Sequence, residues 1–215
     1  FHGDAALGEY AVAYKLTYAL QFLPMAFVAA LYPSMSHAAR HDKESLNTLL
    51  MGSLRLMTLF GVSMAALLAS LAPVLVPFLY GESYLTSVAI LQVLAWVLIP
   101  IFLDFPIGSM LNATHRAAQK TSAMGIAMVI NASMNWILIP EMGAIGAAWS
   151  ALASFITLYG LGVWFVRKEI DWLPWARLHL QGAVVAVGIW LFVDWTSGLF
   201  HPLIITAGAG LFALI

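Results

Sequence analysis

Long apolar stretches alternate with short polar segments along the chain. Seven apolar stretches are present, at about 11–35, 47–80, 85–113, 117–140, 144–166, 178–196 and from about 201 onward. An α-helix needs about 20 apolar residues to cross a bilayer. Because lipid offers the backbone no hydrogen-bond partners, these stretches are predicted to be helices. The pattern predicts an all-α, polytopic transmembrane helix bundle of about seven spans, the last of them truncated.

Charges between the apolar stretches follow the same alternation. The loops near 36–46, 114–120 and 167–177 hold Arg40, Lys43, Arg116, Lys120, Arg167, Lys168 and Arg177. The segments of the opposite set, near 1–10, 81–84, 141–143 and 194–201, hold no Lys or Arg. Strict alternation of basic loops is what the positive-inside rule predicts for a correct span count. We therefore predict a multi-pass protein of the cell (inner) membrane with the three basic loops in the cytoplasm.

Composition narrows the class of protein further. The 215 residues are 62% hydrophobic and 9% charged, whereas soluble domains are about 45–50% apolar and about 25% charged. The net charge of −1 argues against a nucleic-acid partner. Zero cysteines remove disulfides, thiolate catalysis and cysteine metal sites. No P-loop string and no nucleophile–base pair stands out, so neither an enzyme nor a cofactor is expected.

The ends of the chain suggest a fragment. Residue 1 is Phe rather than Met, and no signal peptide opens the sequence. The last apolar run, from about 201, stops before it reaches the length of a span. We expect a piece of a longer protein, cut at both ends.

Three ionisable residues lie within the predicted spans: Lys15, Arg55 and Asp104. A charge at the centre of a span costs about 2.5–3.5 kcal/mol on insertion scales, so each of the three needs a partner or a wet cavity. Arg55 and Asp104 lie at similar depth, roughly 12–14 Å from the cytoplasmic ends of their spans. They are expected to form either a structural ion pair with each other or a gate that lines a cavity.

Lys15 has no acidic residue at helical spacing within its span. It lies beside Thr17, Tyr18 and Gln21, which make this part of the helix unusually polar. One interpretation is a side chain that extends its ammonium to the headgroups. The other is a cation in a water-filled cavity that receives an anionic substrate. The residues alone leave both open.

Other polar and small residues have structural interpretations beside functional ones. Asn131 and Asn135, one turn apart within a span, favour hydrogen bonds between helices over substrate contact. His37 and His41 have metal-like spacing but favour a solvated loop, and no metal site is predicted. Small residues at 143–148 and 160–162 permit close helix packing. Prolines that permit bends are Pro24, Pro73, Pro77, Pro100 and Pro106.

Several short strings carry a resemblance when they are taken in order. They are Gly8-Glu9-Tyr10, Tyr14-Lys15-Leu16, Leu23-Pro24, Leu31-Tyr32-Pro33-Ser34, Leu79-Tyr80-Gly81-Glu82, Met110-Leu111-Asn112-Ala113, Asn131-x-x-x-Asn135 and Ile139-Pro140-Glu141-Met142-Gly143. Their order and spacing resemble the C-terminal lobe of the polysaccharide-exporter and O-antigen (Wzx-like) flippases, which belong to the MATE-related MOP superfamily. The resemblance covers nearly the whole chain.

The resemblance implies two six-helix lobes followed by an extra helix pair. Residues 1–166 would form most of the C-terminal lobe, and 167–215 a cytoplasmic loop and a truncated additional helix pair. It implies flipping of lipid-linked (polyprenyl-pyrophosphate) oligosaccharides from the cytoplasmic to the outer leaflet for surface polysaccharide synthesis. The implied partners are this substrate and membrane lipids, with polysaccharide polymerase and chain-length proteins as candidates.

The same resemblance bears on the substrate site. In the related lipid II flippases a basic residue occupies the position of Lys15 and meets the pyrophosphate in the central cavity. The resemblance therefore implies substrate binding by Lys15, with Tyr18 and Gln21 beside it.

Three alternatives remain at the level of sequence. A lipid II flippase has the closest mechanism. A cation-coupled multidrug exporter of the MATE type would use an acidic cavity residue, for which Asp104 is the candidate. A membrane scaffold without transport predicts that no cavity opens between the lobes. Neighbouring glycosyltransferase genes would favour export over a drug pump.

Overall fold

The chain, as a computed structural model, is described at residues 3–170, 172–189 and 191. Its helices are α1 (Gly3–Ala19), α2 (Phe22–His41), α3 (Lys43–Tyr80), α4 (Thr86–Ala95), α5 (Leu98–Ala113), α6 (Ala117–Met142) and α7 (Ala144–Phe165). A short 3-10 helix, Glu82–Tyr84, precedes α4. Residues 172–189 are also helical and are called α8 below.

Within the described residues, five helical stretches are long and apolar enough to cross a membrane. They are Ala6–His41, Lys43–Tyr80, Thr86–Ala113, Ala117–Met142 and Ala144–Phe165. These stretches coincide with the first five predicted spans, and they confirm the helical membrane bundle. The sixth predicted span overlaps α8 and extends beyond the described residues. The seventh lies outside the described residues.

Two of the five stretches are interrupted by a short turn that lies just before a proline. Residues 20–21 form a turn between α1 and α2, and Leu20 is four residues before Pro24. Residues 96–97 form a turn between α4 and α5, and Trp96 is four residues before Pro100. A proline has no N–H for the carbonyl four residues earlier. The carbonyl of Leu20 instead accepts from Leu23 N at 3.3 Å, and that of Trp96 from Ile99 N at 3.3 Å.

The other three prolines behave differently from the two at the breaks. Pro73 and Pro77 lie inside the continuous α3, and Pro106 lies inside α5. The predicted bends are thus seen as helix breaks at two of the five prolines.

The basic junctions are shorter than the predicted loops, and they meet at one end of the bundle. Asp42 alone separates α2 from α3, so most of the expected loop near 36–46 is helical. Arg116, between α5 and α6, forms an ion pair with Glu169 at 2.8 Å and also donates to the carbonyl of Phe165. This contact joins the α5–α6 and α7–α8 junctions. The end that carries these junctions is called the basic end.

Helix α5 lies at the centre of the core. Its buried residues include Leu98, Phe102, Ile107 and Leu111, and it packs against α2, α3, α6 and α7. A helix that is apolar on all sides is suited to such a central position.

Small residues set the closest helix approaches. A Cβ at Gly146 of α7 would collide with the Leu138 carbonyl of α6, and one at Gly162 would lie 3.0 Å from Ile107 Cγ2 of α5. Gly146 belongs to the patch that the sequence assigned to close packing, and the structure confirms that assignment. Gly160 meets no atom within 4 Å and has no such role.

Helix α8 docks on the bundle at two levels. A Cβ at Gly182 would lie 3.0 Å from Thr58 Cγ2, which places α8 directly against α3. The Tyr159 hydroxyl lies 2.9 Å from Nε2 of His179, and the Trp175 indole donates to that hydroxyl at 3.2 Å. Nδ1 of His179 lies 2.9 Å from the Trp175 carbonyl. These contacts fix α8 against α3 and α7.

Candidate functional site

Lys15 lies on the face of α1 that points away from the bundle. Ala13 and Thr17 are fully buried against neighbouring helices, and the Thr17 hydroxyl donates to the Ala13 carbonyl at 3.0 Å. Lys15 is two positions from each, roughly 160–200° around the helix, and it is exposed. Within the described residues no carboxylate lies within 4.0 Å of its ammonium. The lysine is therefore a free cation on an outward face.

Three tyrosines flank this lysine in a ladder along α1. The Tyr10 and Tyr14 rings are 6.2 Å apart, and those of Tyr14 and Tyr18 are stacked at 4.0 Å. Tyr18 also meets Phe155 of α7 edge-on at 6.4 Å. The ladder is anchored to the bundle at Tyr18 and opens outward at Tyr14, which is exposed.

Gln21 lies in the turn where α1 ends. Its backbone N–H donates to the Tyr18 carbonyl at 3.1 Å. Its side-chain Nε2 is buried and has no hydrogen-bond partner in the described part of the chain. A buried amide left unpaired is costly, so this donor is a candidate for contact with a bound molecule. Lys15, Tyr18 and Gln21 thus share one short segment, as their sequence spacing requires.

Asp104 has a different partner from the one that its depth suggested. Its Oδ2 accepts a hydrogen bond from Nζ of Lys120 on α6, and both side chains are 16% exposed. The expected ion pair between Arg55 and Asp104 is therefore corrected. On α5, Asp104 lies two residues from Phe102, roughly 200° around the helix. Phe102 is the residue that approaches Gly61 of α3, so the Asp104 side chain faces away from α3.

Arg55 lies on another face of α3. It is six residues before Gly61, about 120° around the helix from the contact with α5. It lines a cavity together with Arg177 of α8. No described carboxylate lies within ion-pair distance of Arg55.

Asn131 and Asn135 link α6 to α7. Nδ2 of Asn135 donates to Oδ1 of Asn131 at 2.9 Å, and Nδ2 of Asn131 lies 3.4 Å from Oγ of Ser154. The Ser154 hydroxyl donates to the Ala151 carbonyl at 2.9 Å. These contacts are those of amides that hold helices together.

The two histidines of the basic end occupy the last turns of α2 rather than a loop. The His37 and His41 rings lie 4.7 Å apart and are exposed. Within the described ranges, no group of three or more His, Asp or Glu side chains could hold a metal ion.

Sequence reasoning missed two partners that the structure supplies. Lys120 was assigned to a basic loop although it lies one turn inside a span predicted to begin at 117. Ser154 carries no signal in the sequence beyond its position inside a span. The boundary at 117 could have identified Lys120 as a partner for Asp104, whereas Ser154 required the packing of α7 on α6.

Comparison with known proteins places this geometry in a family. The family model of the lipid II flippase MurJ matches residues 3–207 of the chain. The chain is also similar to an uncharacterized membrane protein of Methanocaldococcus jannaschii, with 29% identity over 110 residues. That alignment covers 50% of this chain but 21% of the relative, so the chain spans only part of its length. The family match supports a MOP-superfamily flippase, and it favours the lipid II alternative over polysaccharide export.

Proposed function

Because this chain belongs to the MurJ family of lipid II flippases, we propose that it forms part of a transporter for a polyprenyl-pyrophosphate-linked sugar precursor of the lipid II class. The transporter would carry this precursor from the cytoplasmic to the outer leaflet. The basic end of the bundle then faces the cytoplasm, in agreement with the positive-inside rule. Membrane lipids and the lipid-linked precursor are the partners, and no catalytic step is needed.

The main support for this proposal is Lys15, a positively charged side chain on the outward face of α1. Lys15 is exposed, has no described acidic partner, and lies beside an aromatic ladder, and a buried, unpaired amide donor follows it six residues later at Gln21. An ammonium offers three hydrogen-bond donors and a full positive charge. A pyrophosphate offers the complementary acceptors and negative charge. We infer that Lys15 binds the pyrophosphate, with Tyr18 and Gln21 next to it.

The outward direction of the Lys15 face of α1 indicates how the two lobes would be arranged. Residues 1–166 would be most of one lobe, and the Lys15 face of α1 would be turned toward the other lobe. Transporters of repeated architecture bind substrate near the midplane between repeats and alternate access around that site. In this arrangement Lys15 belongs to one wall of a central cavity.

Charge movement favours the proposed direction of transport. An anionic headgroup that leaves an inside-negative cell gains roughly 2.3 kcal/mol per charge per 100 mV. Lys15 would lower the cost of removing the pyrophosphate from water. Its single charge would keep the affinity low enough for release.

Translocation of fluorescent lipid II in proteoliposomes tests the proposal. The full-length protein is compared with its Lys15→Ala and Lys15→Arg variants. Lys168→Ala, an exposed basic residue of the α7–α8 junction, is the matched control. We expect Lys15→Ala to reduce transport by about 10- to 100-fold, as loss of a charged hydrogen bond predicts. Lys15→Arg and Lys168→Ala should retain most activity.

The outcomes separate the candidate functions. Normal transport by a well-folded Lys15→Ala protein would remove Lys15 from the site. Transport of a polyprenyl-pyrophosphate oligosaccharide but not of lipid II would restore the polysaccharide-export interpretation. Transport of organic cations that depends on Asp104 would indicate a drug exporter, and no transport of any substrate by the intact protein would indicate a scaffold.

A further inference from the structure

A cavity of about 540 Å³ lies at the basic end between α3 and α8. Its lining includes Asn47, Met51 and Arg55 of α3 and Pro174, Arg177 and Gln181 of α8. It is called the α3–α8 cavity below. Its volume lies within the range of about 300–1,000 Å³ that is usual for small-molecule sites.

The charge of the α3–α8 cavity is unbalanced. Arg55 and Arg177 both line it, and within the described residues no carboxylate lies within 4.0 Å of either guanidinium. By contrast, Arg116 is paired with Glu169 and Lys120 with Asp104. Both arginines are exposed, so one anion can reach both of them, and two like charges that line one cavity favour an anionic ligand. Guanidinium groups match phosphate in geometry and bind it with paired hydrogen bonds.

The amides of the cavity indicate more than a bare anion. Oδ1 of Asn47 is buried and has no hydrogen-bond partner among the described residues. Amide side chains in the lining can pair with hydroxyl groups that a headgroup carries beside its phosphate. Gln181 adds a second amide to the same lining.

The α3–α8 cavity lies toward the basic end of both helices, where a long basic side chain can extend to the lipid headgroups. Helix α3 has 38 residues and is therefore about 57 Å long, against about 30 Å for the hydrocarbon core. Arg55 is twelve residues after Lys43, roughly 18 Å from the start of the helix. Trp172 and Trp175 lie in the first turn of α8, and such aromatic residues mark the interface.

An apolar cavity follows one helical turn deeper on the same two helices. It has a volume of about 320 Å³ and is lined by Thr58 and Val62 of α3 and Gly182 and Ala186 of α8, with Trp96 completing one side. A polar, cationic cavity toward the basic end followed by an apolar one has the chemical profile of a phospholipid. A free phosphate ion would use only the first.

We propose that the α3–α8 cavity binds one anionic glycerophospholipid, with its phosphate between Arg55 and Arg177. The headgroup hydroxyls lie beside the amides of Asn47 and Gln181, and an acyl chain lies in the deeper apolar cavity. The bound lipid would join α8 to α3 at the basic end. This site is separate from the Lys15 face, and it does not depend on which substrate the protein carries.

Native mass spectrometry of the full-length protein with defined lipids tests the proposal. Phosphatidylglycerol, which has an anionic phosphate and two headgroup hydroxyls, is titrated against phosphatidylcholine. The test variant is Arg55→Gln with Arg177→Gln. The matched control is Arg40→Gln with Lys43→Gln, which removes two exposed charges of the same end outside the cavity. We expect the test variant to weaken phosphatidylglycerol binding by about 30-fold, and the control to change it by less than about threefold.

Folding and ligand source are controlled within the same experiment. Arg55→Lys with Arg177→Lys keeps both charges but loses the paired guanidinium hydrogen bonds, so its phosphatidylglycerol binding should lie between that of the wild type and that of the Gln variant. Equal phosphatidylglycerol binding by the wild type and a folded Gln variant would overturn the proposal. So would an absence of preference over phosphatidylcholine. Displacement by millimolar inorganic phosphate, but not by chloride of equal ionic strength, would assign the cavity to a free anion and overturn the lipid assignment.

Discussion

Lys120 of α6 donates a hydrogen bond to Asp104 of α5, and this ion pair is set inside the bundle. Gly108, one turn after Asp104, makes room for it, since a Cβ there would lie 3.2 Å from Lys120 Cε. The second carboxylate oxygen, Oδ1, is buried without a hydrogen-bond partner in the described structure. The pair is therefore a local polar contact in an otherwise apolar environment.

Removing Lys120 should destabilise the protein more than removing Asp104. Lys120→Met leaves a short, buried carboxylate without its partner. Asp104→Leu leaves a long lysine near the basic end, where it can extend its ammonium to water. We expect a loss of about 3–5 kcal/mol for Lys120→Met and less for Asp104→Leu. Thermal unfolding in detergent, with denaturant titration, measures the difference.

A double-mutant cycle provides the control for this pair. The Asp104→Leu, Lys120→Met double variant should recover most of the stability lost by Lys120→Met, with a coupling above about 1 kcal/mol. The cycle between Asp104→Leu and Arg55→Met should show no coupling beyond about 0.5 kcal/mol. Additive effects for Asp104 and Lys120 would contradict the pair that the structure shows.

The contrast between Arg55 and Lys120 shows what the sequence could predict. Length and hydropathy identified the first five spans, because crossing a bilayer imposes a minimum run of apolar residues. They also gave the depth of Asp104. Depth does not give rotation about the helix axis, and rotation decides which neighbour a side chain meets. Arg55 has a suitable depth but the wrong face, so the predicted pairing failed.

The candidate site shows the same limit. That Lys15, Tyr18 and Gln21 lie near one another follows from their spacing on one helix. The outward direction of Lys15 depends on which side of α1 packs, and this is set by the burial of Ala13 and Thr17. The α3–α8 cavity was beyond prediction because its two arginines are 122 positions apart in the sequence, on helices whose packing depends on Gly182 and Thr58.

Gly146→Ala should destabilise the α6–α7 pair. A Cβ at this position would collide with the backbone carbonyl of Leu138, which cannot move as a side-chain end can. The expected loss is about 1–3 kcal/mol, as for overpacking in a core. Gly160→Ala, on the same helix with no atom within 4 Å, should instead stabilise by about 0.5–1 kcal/mol. Equal melting temperatures for the two variants would contradict the close approach at Gly146.

Asp42 should make the start of α3 sensitive to acid. The Ser45 hydroxyl donates to its carboxylate at 2.5 Å, and the backbone N–H groups of Ser45 and Glu44 donate at 3.2 and 3.0 Å. The Ser45 hydroxyl, followed by its backbone N–H, holds the pKa of Asp42 below its usual value. A lowered pKa in the folded state means that the stabilisation is present above the unfolded pKa, about 3.9. It is lost as pH falls through the folded pKa.

Hydrogen exchange at the first turn of α3 measures this effect. The Glu44 and Ser45 amides should lose protection, relative to their intrinsic exchange rates, as pH falls from about 5 to below the lowered pKa of Asp42. Asp42→Asn keeps a side-chain acceptor at the helix start but cannot titrate. Its protection should therefore be independent of pH over this range, and a pH dependence equal to that of the wild type would assign the effect to another group.

Gln21→Leu should separate stability from transport. The buried Nε2 of Gln21 has no partner among the described residues, and an unsatisfied buried donor costs about 1–3 kcal/mol. Leucine fills a similar space without that cost, so the variant should be more stable, by about 1 kcal/mol. If Gln21 donates to the pyrophosphate as we propose, the same variant should carry less substrate. Thermal unfolding and lipid II translocation are measured on one preparation.

Gln92→Leu is the matched control for this substitution. Nε2 of Gln92 lies 3.5 Å from the Ala69 carbonyl of α3, and the side chain is exposed on α4. Its replacement removes no buried, unpaired donor, so neither a gain in stability nor a loss of transport is expected. A stable Gln21→Leu protein with full transport would show that the unpaired amide is only a packing defect. A less stable one would show that the amide has a partner inside the folded protein.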